Sequence, residues 1–316
     1  MVAAWTSGDS GVGSLDGLVA VVTGAGRGIG REHALLMASE GASIVVNDLG
    51  GSGDGTGSEA TPAQEVVDEI TAAGGKAVAS THNVAEADGA DGIIAAGVET
   101  FGKIDIVVNN AGVLRDNVLI NMGPEDWDVV VTVNLRGTYL VTRAAALHWR
   151  ERSKAGEELT ASVVNTASES GLFSNPGQAN YAAAKSGVAT LTQVAAKELK
   201  RYGVRANAIL PRARTRLTEV IGGKVMDALQ PKEGKFDKWH PANVSPFVAY
   251  LASPRCELSG EVFLVGGALV QRVKPWELDQ EWSFKGEDRH TVESIAANVE
   301  KLGLPNGGKM SGMGVR

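Results

Sequence analysis

An alternation constrains this chain more than any other feature. Short runs of branched and small apolar residues, LVAVVTG, SIVVNDLG, IDIVVNNAG, ASVVNTAS and VRANAILP, recur along it. They lack the alternating polar positions of a strand with one wet face, so they read as strands buried on both sides. KAVAST is a weaker third strand and EVFLVGG a last one. Between them, apolar residues recur at three- and four-residue spacing over 28–40, 62–74, 86–101, 124–150 and 179–202, which predicts helices. Strands alternating with helices in this way close as a parallel sheet with helices on both faces.

Within the 316 residues no repeat and no second such pattern is found. The predicted division is a loose Gly/Ser-rich arm over 1–14, one catalytic domain over 15–270, and an extension over 271–316. Residues 49–61, LGGSGDGTGSEAT, are predicted to form a flexible loop after the second strand. The extension holds Trp276 and Trp282, a predicted helix near 290–302 and the loop-like PNGGKMSGMGVR.

Composition narrows the function. A net charge of −7 argues against a general nucleic-acid or anionic-membrane surface. A single cysteine, Cys256, allows no intramolecular disulfide and no CxxC metal site, and reads as a structural thiol with no metal expected. The first residues carry no basic, then apolar, signal pattern, and no window approaches an 18-residue apolar span. The expectation is a cytoplasmic protein.

Two motifs carry chemistry. VAVVTGAGRGIGREHALL sets a glycine-dense turn between the first strand and the first helix. Glycines let backbone approach a pyrophosphate, and the free N–H groups of a helix start favour its charge. The spacing is GxxxGxG, through Gly24, Gly28 and Gly30, with Arg27 and Ile29 between. A tight strand-to-helix connection would need glycines too; the position at the front of the fold favours a nucleotide. Asp48 ends the second strand 18 residues beyond Gly30. A carboxylate there binds ribose hydroxyls and repels a 2′-phosphate, predicting NAD over NADP. Arg27 points the other way, and Asp48 also suits a turn before Gly50.

The second motif is NPGQANYAAAKSG, residues 175–187, where Tyr181 and Lys185 share one helix face. An ammonium beside a phenol, helped by a cationic nicotinamide, is expected to lower the tyrosine's ordinary pKa near 10 and let it exchange a proton with a substrate hydroxyl. Alone, YxxxK equally describes two exposed helix polars.

Taken together, the glycine turn, NNAG, Asn134 in NLRG, TASESG and YAAAK resemble the short-chain dehydrogenase/reductase family over roughly residues 15–270. The resemblance implies a Rossmann-like doubly wound sheet of about seven parallel strands, a dimer or tetramer, and a catalytic group of Asn134, Ser168, Tyr181 and Lys185. Tyr181 would be the acid/base on the substrate oxygen, and Ser168, 13 positions earlier, would polarise that oxygen; Ser170 is the rival serine. Lys185 would hold the nicotinamide ribose, and Asn134 would anchor a water leading to solvent. Around NAD it places Gly24, Arg27, Gly28, Ile29 and Gly30 at the phosphates and Asp48 and Leu49 at the adenosine. Asn83, where aspartate is commoner, and Val84 fall beside adenine; Asn110, Ala111 and Gly112 line the cofactor. After the sixth strand the family often has Pro-Gly, whereas here Arg212 follows Pro211. Pro211 and Thr215 are the remaining candidates for the carboxamide.

VVNDLGG, NNAGVLRD, NLRGTYLVTRAA and NPGQANYAAAKSG further resemble the (3R)-hydroxyacyl-CoA dehydrogenase region of multifunctional β-oxidation enzymes. That implies NAD-linked oxidation of a 3-hydroxyacyl thioester, or of a related steroid alcohol, although no hydratase region follows in these residues. A nucleotide-binding scaffold without turnover is the competing class. The 212–245 segment is the expected substrate lid; its Arg212, Arg214, Arg216 and Lys224 read as contacts to coenzyme A phosphates or as a solvated basic loop. Phe236 and Trp239 would face the substrate or pack the loop. VKPWELDQEW would reach another subunit or pack on its own chain.

Overall fold

The computed structural model describes residues 13–57, 61–215, 229–274, 277–285 and 289–302. Arg216, Lys224 and Trp276, most of the N-terminal arm and PNGGKMSGMGVR lie outside the described residues. The apolar runs become β1 (Val19–Thr23), β2 (Ser43–Asn47), β3 (Lys76–Ser80), β4 (Ile106–Asn109), β5 (Ala161–Thr166), β6 (Val204–Pro211) and β7 (Val262–Gly266). They lie in the order β3-β2-β1-β4-β5-β6-β7, all parallel. The order reverses between β1 and β4, the switch point where ligands of such sheets bind.

The sheet has eight strands, one more than expected. β8 (Leu269–Val273) turns back antiparallel to β7 through Gly267 and Ala268, with Gly267 in the left-handed region at φ 57°. Its residues are mostly exposed, so no buried apolar run announces it in the sequence.

The helices are α1 (Gly28–Ser39), α2 (Thr61–Ala72), α3 (Ala87–Phe101), α4 (Pro124–Val131), α5 (Gly137–Lys154), α6 (Glu169–Phe173), α7 (Ala179–Leu199), α8 (Ser245–Ala252) and α9 (Val292–Leu302). Neighbouring strand residues enter opposite cores. Ile44 and Val46 pack with Leu36, Met37, Ile70 and Leu251 from α1, α2 and α8. Val45 packs on the other face with Ile93, Val141 and Trp149 from α3 and α5. Both faces are therefore dry, which is why these strands read as unbroken apolar runs.

Two segments differ from the sequence expectations. The single helix over 124–150 is α4 and α5 joined by a π-helical turn at Thr132–Arg136. Residues 50–57 after β2 form a folded loop. Ser52 N–H donates to Thr56 C=O (2.7 Å), and Asp54 Oδ1 accepts from the Thr56 N–H (3.0 Å) and hydroxyl (2.8 Å). The loop is tied to the chain after β4 by Leu114 N–H on Gly53 C=O (2.9 Å) and Arg115 Nε on Asp54 C=O (2.9 Å). Just after the arm, Leu15 is fully buried, and the exposed Ser14 donates its N–H to Glu40 Oε2 (2.8 Å).

His33, on α1, is fully buried against α8, its Nδ1 2.8 Å from Ser245 Oγ and its Nε2 without a partner. Burial alone pushes its pKa down to about 3. Cys256 is a buried free thiol. No described helix is long and apolar enough to cross a membrane.

Residues through Val273 and those from Lys274 onward form two compact units. In the second, Trp282 and Phe284 meet edge to face, and α9 buries none of its residues.

Candidate active site

The glycine turn runs from the end of β1 into α1. Gly28 takes φ 55°, which a side chain would resist, and among the described residues a Cβ there would meet only Thr215, 3.8 Å away. The turn thus leaves open space, with Thr215 at its edge. Gly30 is a packing glycine: a Cβ would strike the Gly24 carbonyl and stand 2.5 Å from Asn110 Nδ2. α1 has no side-chain cap and no acidic residue in its first turn, so its N–H groups stay available to an anion. Arg27, at the N-cap, is exposed. These features fit a pyrophosphate.

Asp48 closes the β2 side. Its Oδ2 accepts the Gly26 N–H (2.8 Å) and its Oδ1 the Gly50 N–H (2.7 Å). Leu49 and Asn83 line one open cleft with Thr81, His82, Glu86, Asp88 and Gly89. Asn83 spends its side chain locally, accepting from Ala85 N–H (3.0 Å) and donating to Glu86 (3.0 Å), so its amide is already used beside that cleft. Val84 is buried against Gly137 at the start of α5.

Across the switch point, Asn110 bolts the glycine turn to β4: its Nδ2 donates to the carbonyls of Thr23 and Gly24, both at 3.1 Å. The Ala111 N–H donates to the Thr23 hydroxyl (3.1 Å). Gly112 sits where two candidate catalytic residues converge. A Cβ there would lie 2.5 Å from Asn134 Oδ1 and 3.6 Å from Lys185 Nζ.

Asn134 is fully buried in the π turn, donating to the carbonyls of Val113 (2.9 Å) and Val130 (3.0 Å). Its Oδ1 has no partner among the described residues. A buried acceptor without a donor is costly, and an acceptor beside a lysine ammonium is a natural seat for a water. Lys185 is 2% exposed and donates to the Thr166 carbonyl at the end of β5 (2.7 Å). Its Nζ lies 5.5 Å from the centroid of the Tyr181 ring. Ser168 caps α6, its Oγ accepting from Ser170 N–H (3.2 Å), and its side chain lies close enough to the Tyr181 phenol to favour the phenolate. Asn134, Ser168, Tyr181 and Lys185 therefore meet at the carboxyl ends of β4 and β5.

The electrostatics reverse the expected lowering of the tyrosine pKa. Burial pushes the phenol up to about 12, with the Ser168 hydrogen bond opposing and the Asp116 carboxylate adding to the rise. Burial also brings Lys185 down to about 7. Without a ligand, desolvation outweighs the attraction between the pair, because the sequence spacing shows their adjacency but not how little water reaches them.

Arg212 and Arg214 are neither solvated nor free for a coenzyme phosphate. Arg212 forms a two-pronged pair with Glu169 (2.7 and 2.5 Å), and Arg214 pairs with Asp237 (2.7 Å). Pro211 ends β6 beside Val265. Phe236 is exposed, and the Trp239 carbonyl accepts the Arg214 N–H (2.7 Å).

Sequence reasoning passed over Asn180, Asp116 and Gln178. Asn180 is fully buried and fully used: it donates to the carbonyls of Arg115 (2.9 Å) and Asp126 (3.1 Å) and accepts the Tyr181 N–H (2.7 Å). It fixes the start of α7, and hence Tyr181, to the segment after β4. Its place directly before the tyrosine was the available sign.

A glycine-lined cradle at the switch point, with a part-buried tyrosine and a buried lysine beside it, defines an α/β oxidoreductase that works with a nucleotide cofactor. The chain belongs to the short-chain dehydrogenase family, whose sequence pattern matches residues 18–220. It is an oxidoreductase acting on CH–OH groups with a nicotinamide cofactor. It is 46% identical over 289 residues to hydroxyacyl-CoA dehydrogenase ChsB1 of Mycobacterium tuberculosis, covering 89% of this chain and 87% of that one. It is 40% identical to the peroxisomal multifunctional enzyme type 2 of Mus musculus, covering 91% of this chain but 37% of that longer protein. A crystal structure of a short chain dehydrogenase from Mycobacterium avium, 45% identical, superposes with a TM-score of 0.81 and covers 92% of this chain and 96% of that one.

Proposed function

We propose that the chain oxidises the 3-hydroxyl of a 3-hydroxyacyl-CoA to the ketone, using NAD. The observation that carries the chemistry is the convergence of Ser168, Tyr181, Lys185 and Asn134 beside an uncapped helix start. The substrate follows from 46% identity, over most of both chains, to a protein named as a hydroxyacyl-CoA dehydrogenase.

Bound NAD supplies the hydride acceptor. The cradle from Gly24 to Gly30 with Arg27 takes its phosphates, Asp48, Leu49, Asn83 and Val84 its adenosine end, and Asn110 to Gly112, Pro211 and Thr215 its nicotinamide end. Tyr181 takes the proton of the substrate hydroxyl, and Ser168 donates a hydrogen bond to the same oxygen. Held near 12 by burial, Tyr181 becomes a base only when positive charge is brought against the phenol. Protonated Lys185 and an oxidised nicotinamide provide that charge. Lys185 passes its own proton to a water held by Asn134 Oδ1 and takes up in its place the one that Tyr181 received. Asp48 disfavours a 2′-phosphate because its carboxylate is pinned by two backbone N–H groups and cannot swing away. The same reading makes the enzyme a cytoplasmic homodimer or homotetramer.

The test is the absorbance of reduced nicotinamide formed from a 3-hydroxyacyl-CoA, a hydroxysteroid and a simple secondary alcohol, each with NAD and with NADP. Turnover of the thioester with NAD is expected. Turnover of the steroid alone would remove the substrate assignment and keep the catalytic group. Preference for NADP would overturn the role given to Asp48, and tight NAD binding without turnover of any alcohol would favour a scaffold.

A further inference from the structure

A chain of side chains leads away from the catalytic serine. Ser170 Oγ donates to Gln178 Oε1 (2.7 Å), and Asn175 Nδ2 donates to the same oxygen (3.0 Å). Gln178 Nε2 donates in turn to Asp116 Oδ2 (2.7 Å). Gln178 is 7% exposed, so its amide has few other partners to choose. Two backbone features hold the group in place. Asn117 N–H donates to the Gly177 carbonyl (2.8 Å), setting Asp116 next to Gln178. Ser174 takes φ 60°, the only positive value among the described non-glycine residues. Such strain persists where the surroundings over-determine the backbone.

The direction of each bond follows from the chemistry of its ends. A carboxylate can only accept, so the nitrogen of Gln178 must face Asp116. Its oxygen then faces Ser170 and Asn175. Ser170 has one proton, and Gln178 takes it. Ser168 is placed differently, since its Oγ accepts the Ser170 N–H and keeps its own proton to give.

We propose that Asp116 is a positioning residue of the active site: through Gln178 it fixes the Ser170 hydroxyl away from the reaction and leaves Ser168 as the hydroxyl that donates to the reacting oxygen. This rests on the catalytic reading of Ser168 and Tyr181 given above. A second consequence is electrostatic. Arg115, the neighbouring cation, pairs with Asp126, and Asp116 has no cationic partner among the described residues. The charged groups near the phenol are Lys185 on its own helix and Asp116 after β4, while Glu169 on α6 is tied to Arg212. Asp116 therefore opposes the phenolate.

The experiment uses the full chain and two readouts. One is the ionisation of Tyr181 in the NAD complex, followed by tyrosinate absorbance with Tyr181→Phe as the blank. The other is kcat against pH with 3-hydroxybutyryl-CoA. Asp116→Asn is expected to move the Tyr181 titration to lower pH by about half a unit or more, and Asp116→Glu to restore it. Gln178→Leu is expected to lower kcat about tenfold with the KM for NAD unchanged, and to cost less than about twofold in a Ser170→Ala background. Ser168→Ala is expected to cost on the order of 10² or more in kcat, and Ser170→Ala no more than about tenfold. An unmoved titration in Asp116→Asn, or additive effects of Gln178→Leu and Ser170→Ala, overturns the proposal while the catalytic reading stands. Full turnover by Ser168→Ala or Tyr181→Phe overturns that reading itself.

Discussion

Around the turn after β1, Asp48 accepts two backbone N–H groups and Asn110 satisfies two carbonyls, whereas towards β5 Asn134 Oδ1 and Thr166 Oγ1 have no partner among the described residues. The first end is assembled from backbone and short side chains whose bonds close within the protein. The second end holds a dehydrated lysine and a phenol that burial keeps protonated. Binding a dinucleotide needs a rigid shape, and the turn from β1 to α1 provides one before any ligand arrives. Moving a proton needs groups whose ionisation a ligand can shift, and those are the groups left desolvated. The contrast predicts that the two ends fail separately.

Tyr181→Phe makes the largest test of that separation. It is expected to lower turnover by roughly 10³-fold or more, while NAD binding followed by calorimetry changes less than about threefold. Joint loss of binding would show that the ends are one unit. Asp48→Ser reverses the experiment. It removes the pinned carboxylate at the ribose end, so the ratio of NAD to NADP efficiency is expected to fall by roughly 100-fold. The pH profile of kcat with NAD should stay in place, and a displaced profile would join the ends again.

The smallest effect concerns the support beneath the cradle. His33 lies on α1, the helix that begins at the glycine turn, and its folded pKa of about 3 lies below its ordinary 6.5. Between those values the unfolded chain binds a proton that the folded chain refuses. Its contribution is therefore fully present above pH 6.5 and is lost as pH falls below it, by about 1.4 kcal/mol per unit. Chemical denaturation at pH 7 and pH 5 measures the loss, and His33→Gln should flatten that part of the slope. An unchanged slope would show that other groups control acid stability.

The parallel strands, and the coming together of Ser168, Tyr181 and Lys185, were legible because they depend on local residue type and spacing: unbroken apolar runs for β1, β2 and β4, and fixed intervals for the three side chains. β8 was not, since an edge strand with exposed residues carries no apolar run. The pairing of Arg212 and Arg214 was hidden for another reason. Their partners, Glu169 and Asp237, lie 43 and 23 positions away and are brought close only by the fold. The glycines of residues 50–57 suggested mobility, yet the bonds that order the loop come from Leu114 and Arg115, on a different strand connection. The Tyr181 pKa could not be read from its neighbour Lys185 because burial is a property of the whole site.

The π turn at Thr132–Arg136 bears on how this site tolerates change in the gene. Such a turn behaves as one extra residue accommodated in an otherwise regular helix. Deleting a single residue there would remove the wide turn and let α4 and α5 run on as one α-helix; the flanking turns would keep their faces, while the residues of the turn itself, Asn134 among them, would be re-aimed. Asn134 would then leave Gly112 and Lys185, although every other catalytic residue stayed in place. Point substitutions around it keep the count and the geometry. The number of residues in this short stretch therefore matters to the site as much as their types do.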